Sequence, residues 1–247
     1  MVKHRAERKR HAPIAILMTA LVAFALVGYL LVFWPFGAPP TAASETRRTA
    51  DTASENTEMP IRGLKRLVVY GHSMPSGGGA SDERFGYAEV AEDLTGLTLE
   101  NRSEGGTIAS TTANSLAEYP AAGPRDAVLI HTGMNDIFRE GEDAVEMGRE
   151  AIQRILYATA KAKQRVIVLE CQPADWMDTP PALDLQTAYD AWNTMLREEA
   201  SGQPGVAVLD TCESWDPSLY TDSPQYHPND VGHALIAEEL NELLRSS

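Results

Sequence analysis

Cysteine is nearly absent. Cys171 and Cys212 are the only two in 247 residues, which leaves room for one disulfide and excludes a fold held by a cystine framework. Basic side chains are outnumbered, 21 Lys and Arg against 35 Asp and Glu, for a net charge of −14. A surface of that sign repels phosphate backbones and argues against nucleic acid as a partner. Five of the 21 basic residues (Lys3, Arg5, Arg8, Lys9 and Arg10) lie within the first 12 positions beside a single acid, Glu7, so the rest of the chain is more acidic still. There is no internal repeat.

Charge is missing altogether from Ile14 to Trp34, IAILMTALVAFALVGYLLVFW. At about 1.5 Å per residue, such a run is long enough to cross the hydrocarbon core of a bilayer. Tyr29 and Trp34 stand near its outer end, where aromatic rings favour the interface. The Lys/Arg cluster before it is expected to stay cytoplasmic, which puts the remainder of the chain outside. A cleaved signal peptide is the other reading, with Thr41-Ala42-Ala43 as a processing site, although its apolar region should span only about 7–15 residues. The expected organisation is a basic cytoplasmic tail at 1–12, a transmembrane signal anchor at 13–35, a flexible linker at 36–62 and a single folded domain at 63–247. Residues 37–60 are rich in Ala, Thr, Ser, Glu and Pro and nearly devoid of large apolar side chains, so they cannot bury a core.

Beyond the linker, short apolar runs alternate with helical patterns. Arg66–Tyr70, Leu97–Glu100, Ala127–His131, Val166–Leu169 and Val206–Leu209 have the length and β-branched content of buried parallel strands. Helical spacing is expected at about 84–95, 110–118, 141–163, 184–200 and 228–245. Five strands alternating with helices predict a three-layer α/β fold around a parallel sheet. Ligands of such sheets bind beyond the carboxyl ends of the strands, so the polar residues there carry the functional question.

Four segments answer it. Gly71-His72-Ser73, followed by Gly77-Gly78-Gly79, follows the first strand and presents a serine on a glycine-rich turn. Gly105-Gly106 follows the second, where the backbone can approach a ligand closely. Gly133-Met134-Asn135-Asp136 follows the third and offers a side-chain amide donor. His227-Pro228-Asn229-Asp230-Val231-Gly232-His233 precedes the last helix, with His227 placed on a loop as a base. Each segment alone has a bland reading, as loop, tight turn or helix cap. Together, in this order, they resemble the SGNH/GDSL hydrolases over roughly 64–245. The resemblance implies a flavodoxin-like sheet, Ser73 as nucleophile, His227 as general base, and an oxyanion hole of Ser73 N–H, Gly106 N–H and the Asn135 amide.

Two positions depart from that family's pattern. His72 replaces the Asp of its Gly-Asp-Ser block, and Pro224 stands where its acid normally lies, three residues before the histidine. Asp222, five residues before His227, is the candidate acid. A backbone carbonyl orienting His227 and a Ser–His dyad are the alternatives, and Asp230 is a weaker one. No H-E-x-x-H or similar close ligand spacing links His72, His131, His227 and His233, so neither a metal nor an organic cofactor is expected. Trp176 and Trp215 follow the fourth and fifth strands and offer a platform for a sugar ring or acyl chain, or else a cover for the core. Cys171 and Cys212 end those same strands, and a disulfide between them is expected. The function expected is an extracytoplasmic serine esterase cleaving a small-molecule, lipid or glycan ester. A non-catalytic glycan-binding module and an acyltransferase using the same residues are the alternatives.

Overall fold

In the computed structural model, the described residues are 63–121, 123–173, 183–221 and 226–245. They form a five-stranded, wholly parallel sheet: β1 (Arg66–Gly71), β2 (Thr98–Asn101), β3 (Asp126–His131), β4 (Arg165–Leu169) and β5 (Val206–Leu209), in the order β2-β1-β3-β4-β5. Leu67–Tyr70 and Ala127–Ile130 are completely buried without alternation, the pattern of central strands covered on both faces. The helices are α1 (Tyr87–Thr95), α2 (Ala109–Glu118), α3 (Met134–Glu140), α4 (Ala144–Lys161), α5 (Leu183–Ala200), α6 (Pro217–Tyr220) and α7 (Asp230–Arg245). One group packs α1 against α7, and the other packs α2, α4 and α5 side by side.

Strand order reverses between β1 and β3, so a crevice opens where the chain leaves those two strands in opposite directions. Ser73 follows β1 there, and Asn135 follows β3. Gly71 makes the closeness workable. Its φ is +156°, and a Cβ on it would stand 2.0 Å from the His131 carbonyl oxygen.

The helices differ from expectation at their ends. The stretch expected as 84–95 is a 3₁₀ turn at Glu83–Phe85 followed by α1, with Gly86 in an extended conformation (ψ 140°) between them. The stretch expected from 141 opens with a 3₁₀ turn at Gly141–Asp143 before α4. The last helix starts at Asp230, where the Asn229 Oδ1 accepts from the N–H groups of Val231 and Gly232, both at 3.0 Å. Helix α3 was not anticipated. Gly133, with φ +123°, lets the chain turn into it directly from β3.

The disulfide expectation is corrected: Cys171 and Cys212 are free thiols. Register explains this. Leu169 pairs with Leu209, so continuing the ladder sets Cys171 opposite Thr211 and leaves Cys212 one residue out of phase. Side chains one residue apart point to opposite faces. The Cys171 thiol accordingly donates to the Thr132 carbonyl at 3.6 Å, and the Cys212 thiol to the Cys171 carbonyl at 3.3 Å.

Among the described residues no helix is long and apolar enough to cross a membrane. The expected anchor at 13–35 and linker at 36–62 lie outside the described residues, as do Trp176 and Asp222.

Trp192 on α5 fixes the helix layer against the turn after β3. It is fully buried, and a Cβ on Gly133 or on Gly148 of α4 would come within 2.1 or 2.2 Å of its ring. Alanine at position 148 would normally favour a helix by about 1 kcal/mol. Here the added methyl must displace the indole, so Gly148→Ala is expected to destabilise by about 1–3 kcal/mol. Urea unfolding measures this as a lower midpoint at unchanged slope. A midpoint at or above that of the parent protein would contradict the packing.

Candidate active site

Two loops 154 residues apart in sequence meet at one hydrogen bond, with His227 Nε2 2.7 Å from Ser73 Oγ. The Ser73 turn is built by its own backbone and neighbours. The Gly78 N–H and the Ser76 hydroxyl both donate to the Ser73 carbonyl, at 2.7 and 2.8 Å. His72 takes the part a short polar side chain plays in an Asx turn: its Nδ1 accepts from the Met74 N–H at 3.2 Å. This is the physical content of the His-for-Asp replacement, since an imidazole nitrogen can stand in for a carboxylate oxygen as acceptor two residues on.

The glycine run makes room for the imidazole. A Cβ on Gly78 would stand 2.9 Å from His227 Cδ2, and one on Gly79 would stand 2.7 Å from His227 Cβ and 2.2 Å from the Pro228 carbonyl oxygen. Sequence reading placed these glycines in the serine turn, whereas their larger contribution is the berth they leave for His227. Aspartate closes the junction: Asp230 accepts from the N–H and hydroxyl of Ser81, at 2.8 and 2.6 Å. On its open side His227 lies against the Tyr226 ring (4.4 Å between centroids), which meets Phe138 edge-on.

The second and third segments also come to this place. A Cβ on Gly105 would lie 3.8 Å from Ser73 Cβ, so the Gly105-Gly106 turn runs alongside the serine. Gly106 has φ +80°, in the region glycine enters without cost. Asn135 sits in the first turn of α3, with its amide nitrogen 2.9 Å from the Thr107 carbonyl. Because a carbonyl only accepts, nitrogen rather than oxygen faces the Gly106-Thr107 turn, and the second N–H of the amide is left over.

Behind the serine turn lies a buried group of three histidines, His72, His131 and His233, which sequence reading weighed together only as metal ligands. His131 Nδ1 is 3.0 Å from the Tyr87 hydroxyl, and its ring is 4.7 Å from that of His72. His233 Nδ1 accepts from the Tyr87 N–H at 3.1 Å, which puts its proton on Nε2, 3.1 Å from the Gly78 carbonyl. Thus His233 holds the very residue that makes room for His227. The clue in the sequence was the spacing His227-x₅-His233, which sets one imidazole on the loop and the other on the inner side of α7.

Burial keeps all of them neutral. It lowers His72 to about 3, with further opposition from His227, and His233 to about 4. His131 goes well below the ordinary value, first through burial and then through its histidine neighbours. Burial also lowers His227, which is only half buried. Three carboxyls move the other way for the same reason, Asp136 to about 6, Glu170 to about 7, and Glu239 upward as well.

Trp215 is not a substrate platform. It is 8% exposed, its indole N–H donates to the Pro173 carbonyl at 2.9 Å, and its ring packs 5.2 Å from that of Tyr220. The turn after β5 folds the indole under α6, where covering the core satisfies both its apolar area and its one donor.

Residues 69–235 match the family model for the GDSL-like Lipase/Acylhydrolase family. Among solved structures, a member of the lipolytic protein G-D-S-L family from Veillonella parvula DSM 2008 superposes with a TM-score of 0.58 at 17% identity, covering 72% of this chain and 97% of that one. TesA gives 0.60 at 18%, with coverages of 73% and 98%. The psychrotrophic esterase EstA from Pseudoalteromonas sp. gives 0.56 at 15%, with 73% and 97%. At such identities the likeness is one of fold. No curated relative matches the sequence.

The buried imidazoles set how stability responds to acid. Below about pH 6.5 the unfolded chain takes up a proton on each of His72, His131 and His233 that the folded chain refuses, so stability falls with pH. Asp136, Glu170 and Glu239, raised on folding, act in the opposite sense between about pH 7 and 4. The raised carboxyls are outweighed, because His227 and the depressed Asp82 and Asp230 also lose stability on acidification, and the loss steepens below about pH 4 where the raised carboxyls are protonated in both states. Urea midpoints are therefore expected to drop from pH 7 to pH 5 and faster below. A constant or rising midpoint on acidification would contradict the neutral histidine group.

Proposed function

The chain belongs to the GDSL-like lipase/acylhydrolase family, and from that premise we propose that it is a carboxylic-ester hydrolase whose nucleophile is Ser73 and whose general base is His227. The observation that carries the reading is the 2.7 Å separation of His227 Nε2 and Ser73 Oγ, which lies within the reach proton transfer requires.

In the first step the Ser73 oxygen attacks the ester carbonyl carbon while its proton passes to His227 Nε2. The carbonyl oxygen becomes an oxyanion, for which the Ser73 N–H, the Gly106 N–H and the spare N–H of Asn135 are the proposed donors. Collapse breaks the bond to the leaving alkoxide, and His227 returns the proton to it. Water then attacks the acyl-enzyme with His227 again as base, releasing the acid and restoring the Ser73 hydroxyl. Because His72 stays neutral beside His227, no positive charge behind the turn opposes formation of the imidazolium.

Asp222 is the proposed acceptor for the His227 Nδ1–H. Thr221 and Pro228 form an isolated antiparallel bridge. That bridge brings residue 221 beside the residue that directly follows His227. This supports a triad in which the acid sits five residues before the histidine. The proposed location is outside the cytoplasm, tethered by the 13–35 segment, or secreted after cleavage. The supporting features are the uncharged Ile14–Trp34 run and the basic residues before it. Esters encountered outside the cell membrane, whether lipid, glycan or small molecule, are the corresponding substrates.

Covalent labelling tests the nucleophile. The solved EstA structure is of an esterase inhibited by monoethylphosphonate, and a fluorophosphonate probe follows the same chemistry. The wild-type chain is expected to label and to hydrolyse p-nitrophenyl acetate. Ser73→Ala is expected to lose labelling and roughly 10⁴-fold or more of kcat. A Ser73→Ala variant that still labels, or a folded wild type that neither labels nor turns over, would overturn the proposal, the second result favouring a binding module.

A further inference from the structure

Glycine at 106 solves one problem and creates another. Without a side chain its N–H can face an oxyanion, but its backbone also has more conformations to wander among than that of any other residue. The direction of that N–H must therefore be imposed from outside. One side of the turn is pinned to β1, where Glu104 N–H and the Thr107 hydroxyl both donate to the Gly71 carbonyl, at 3.0 and 2.9 Å. The other side is pinned by α3 through three residues in two turns. Asn135 donates to the Thr107 carbonyl at 2.9 Å, Asp136 accepts from the Ala109 N–H with both oxygens at 3.2 and 3.1 Å, and Arg139 donates to the Gly106 carbonyl at 2.8 Å.

These contacts divide the labour. The peptide plane between Gly106 and Thr107 is held at both ends, its oxygen by Arg139 and its N–H by the Glu104 carbonyl at 3.3 Å. Only rotations within Gly106 itself then separate that fixed plane from its own N–H. Asp136 fixes the far end of the turn. The residue before α2 is Ile108, whose side chain cannot cap a helix, so the first N–H of α2 is satisfied by a carboxylate from α3 instead. Asp136 is 6% exposed, whereas Arg139 is exposed.

We propose that Asp136 and Arg139 are positioning residues for the oxyanion hole: a clamp from α3 that holds the Gly106 turn so that its N–H and the Asn135 amide converge on one point. The inference rests on the reading of Ser73 as nucleophile. Both residues bond backbone groups of the turn, so their effect falls on transition-state stabilisation and not on ground-state binding.

Steady-state hydrolysis of p-nitrophenyl acetate and the rate of fluorophosphonate labelling test the clamp in wild type, Arg139→Ala, Arg139→Lys and Asp136→Asn. The Arg139 variants alter an exposed side chain and are expected to melt as the wild type does. Arg139→Ala is expected to lose about tenfold in kcat, less than removal of a whole donor, with KM within about twofold and labelling slowed in parallel. Arg139→Lys, which can still reach a carbonyl, is expected to recover part of the rate, and Asp136→Asn to lower kcat in the same pattern. An active wild type with Arg139→Ala within twofold of its kcat, or altered only in KM, would overturn the clamp alone. A wild type that neither labels nor turns over would overturn the Ser73 reading, and the clamp with it.

Discussion

The contact between His227 and Ser73 is the constraint around which the carboxyl end of the sheet is built. A hydrogen bond of 2.7 Å between residues 154 apart has to repay the ordering of two loops, each residue of which costs about 1–2 kcal/mol of backbone entropy. One such bond cannot do that. The loops are therefore ordered by other means: Gly78 and Gly79 leave a berth in which the imidazole fits, Asp230 ties down Ser81, and Asn229 caps α7. The serine–histidine pair is the contact that this scaffolding is built to hold.

The same scaffold sets the local field. Three imidazoles stand behind the serine turn where charged groups would be costly, and burial keeps all three neutral. They serve as dipoles. His72 receives the Met74 N–H, and His233 receives the Tyr87 N–H and faces the Gly78 carbonyl with its proton. A histidine beside another histidine usually threatens mutual repulsion when one becomes charged. Neutral neighbours remove that opposition, so His227 is the imidazole of the group left with access to a proton from a reacting hydroxyl.

Much of this was legible in the sequence because it was written in short-range patterns. Unbroken apolar runs marked β1, β3, β4 and β5 to within a residue or two, since parallel strands covered on both faces have no polar side to interrupt them. The partly exposed edge strand β2 fell one residue from its expected Leu97–Glu100. Ser73, Gly106, Asn135 and His227 were legible as strand-end residues in four ordered blocks. What could not be read depended on distances across the fold. Helix α3 begins at a glycine held against Trp192, without a capping side chain to announce it. The free thiols follow from a one-residue phase difference that only the β4–β5 register reveals. Trp215 by position could be a substrate platform or a cover for the core, and only the Pro173 carbonyl and its burial decide for the cover. The partnership of His233 with Gly78, and of Arg139 with Gly106, joins residues 155 and 33 positions apart, and no local pattern encodes it.

The central claim is that four separate loops converge on a single reacting carbonyl, and a crystal structure of the phosphonate adduct tests it most directly. The account predicts phosphorus bonded to Ser73 Oγ, with the phosphoryl oxygen within about 3 Å of the Ser73 N–H, the Gly106 N–H and the Asn135 amide nitrogen. An adduct on another residue would contradict it, as would a phosphoryl oxygen turned away from all three donors.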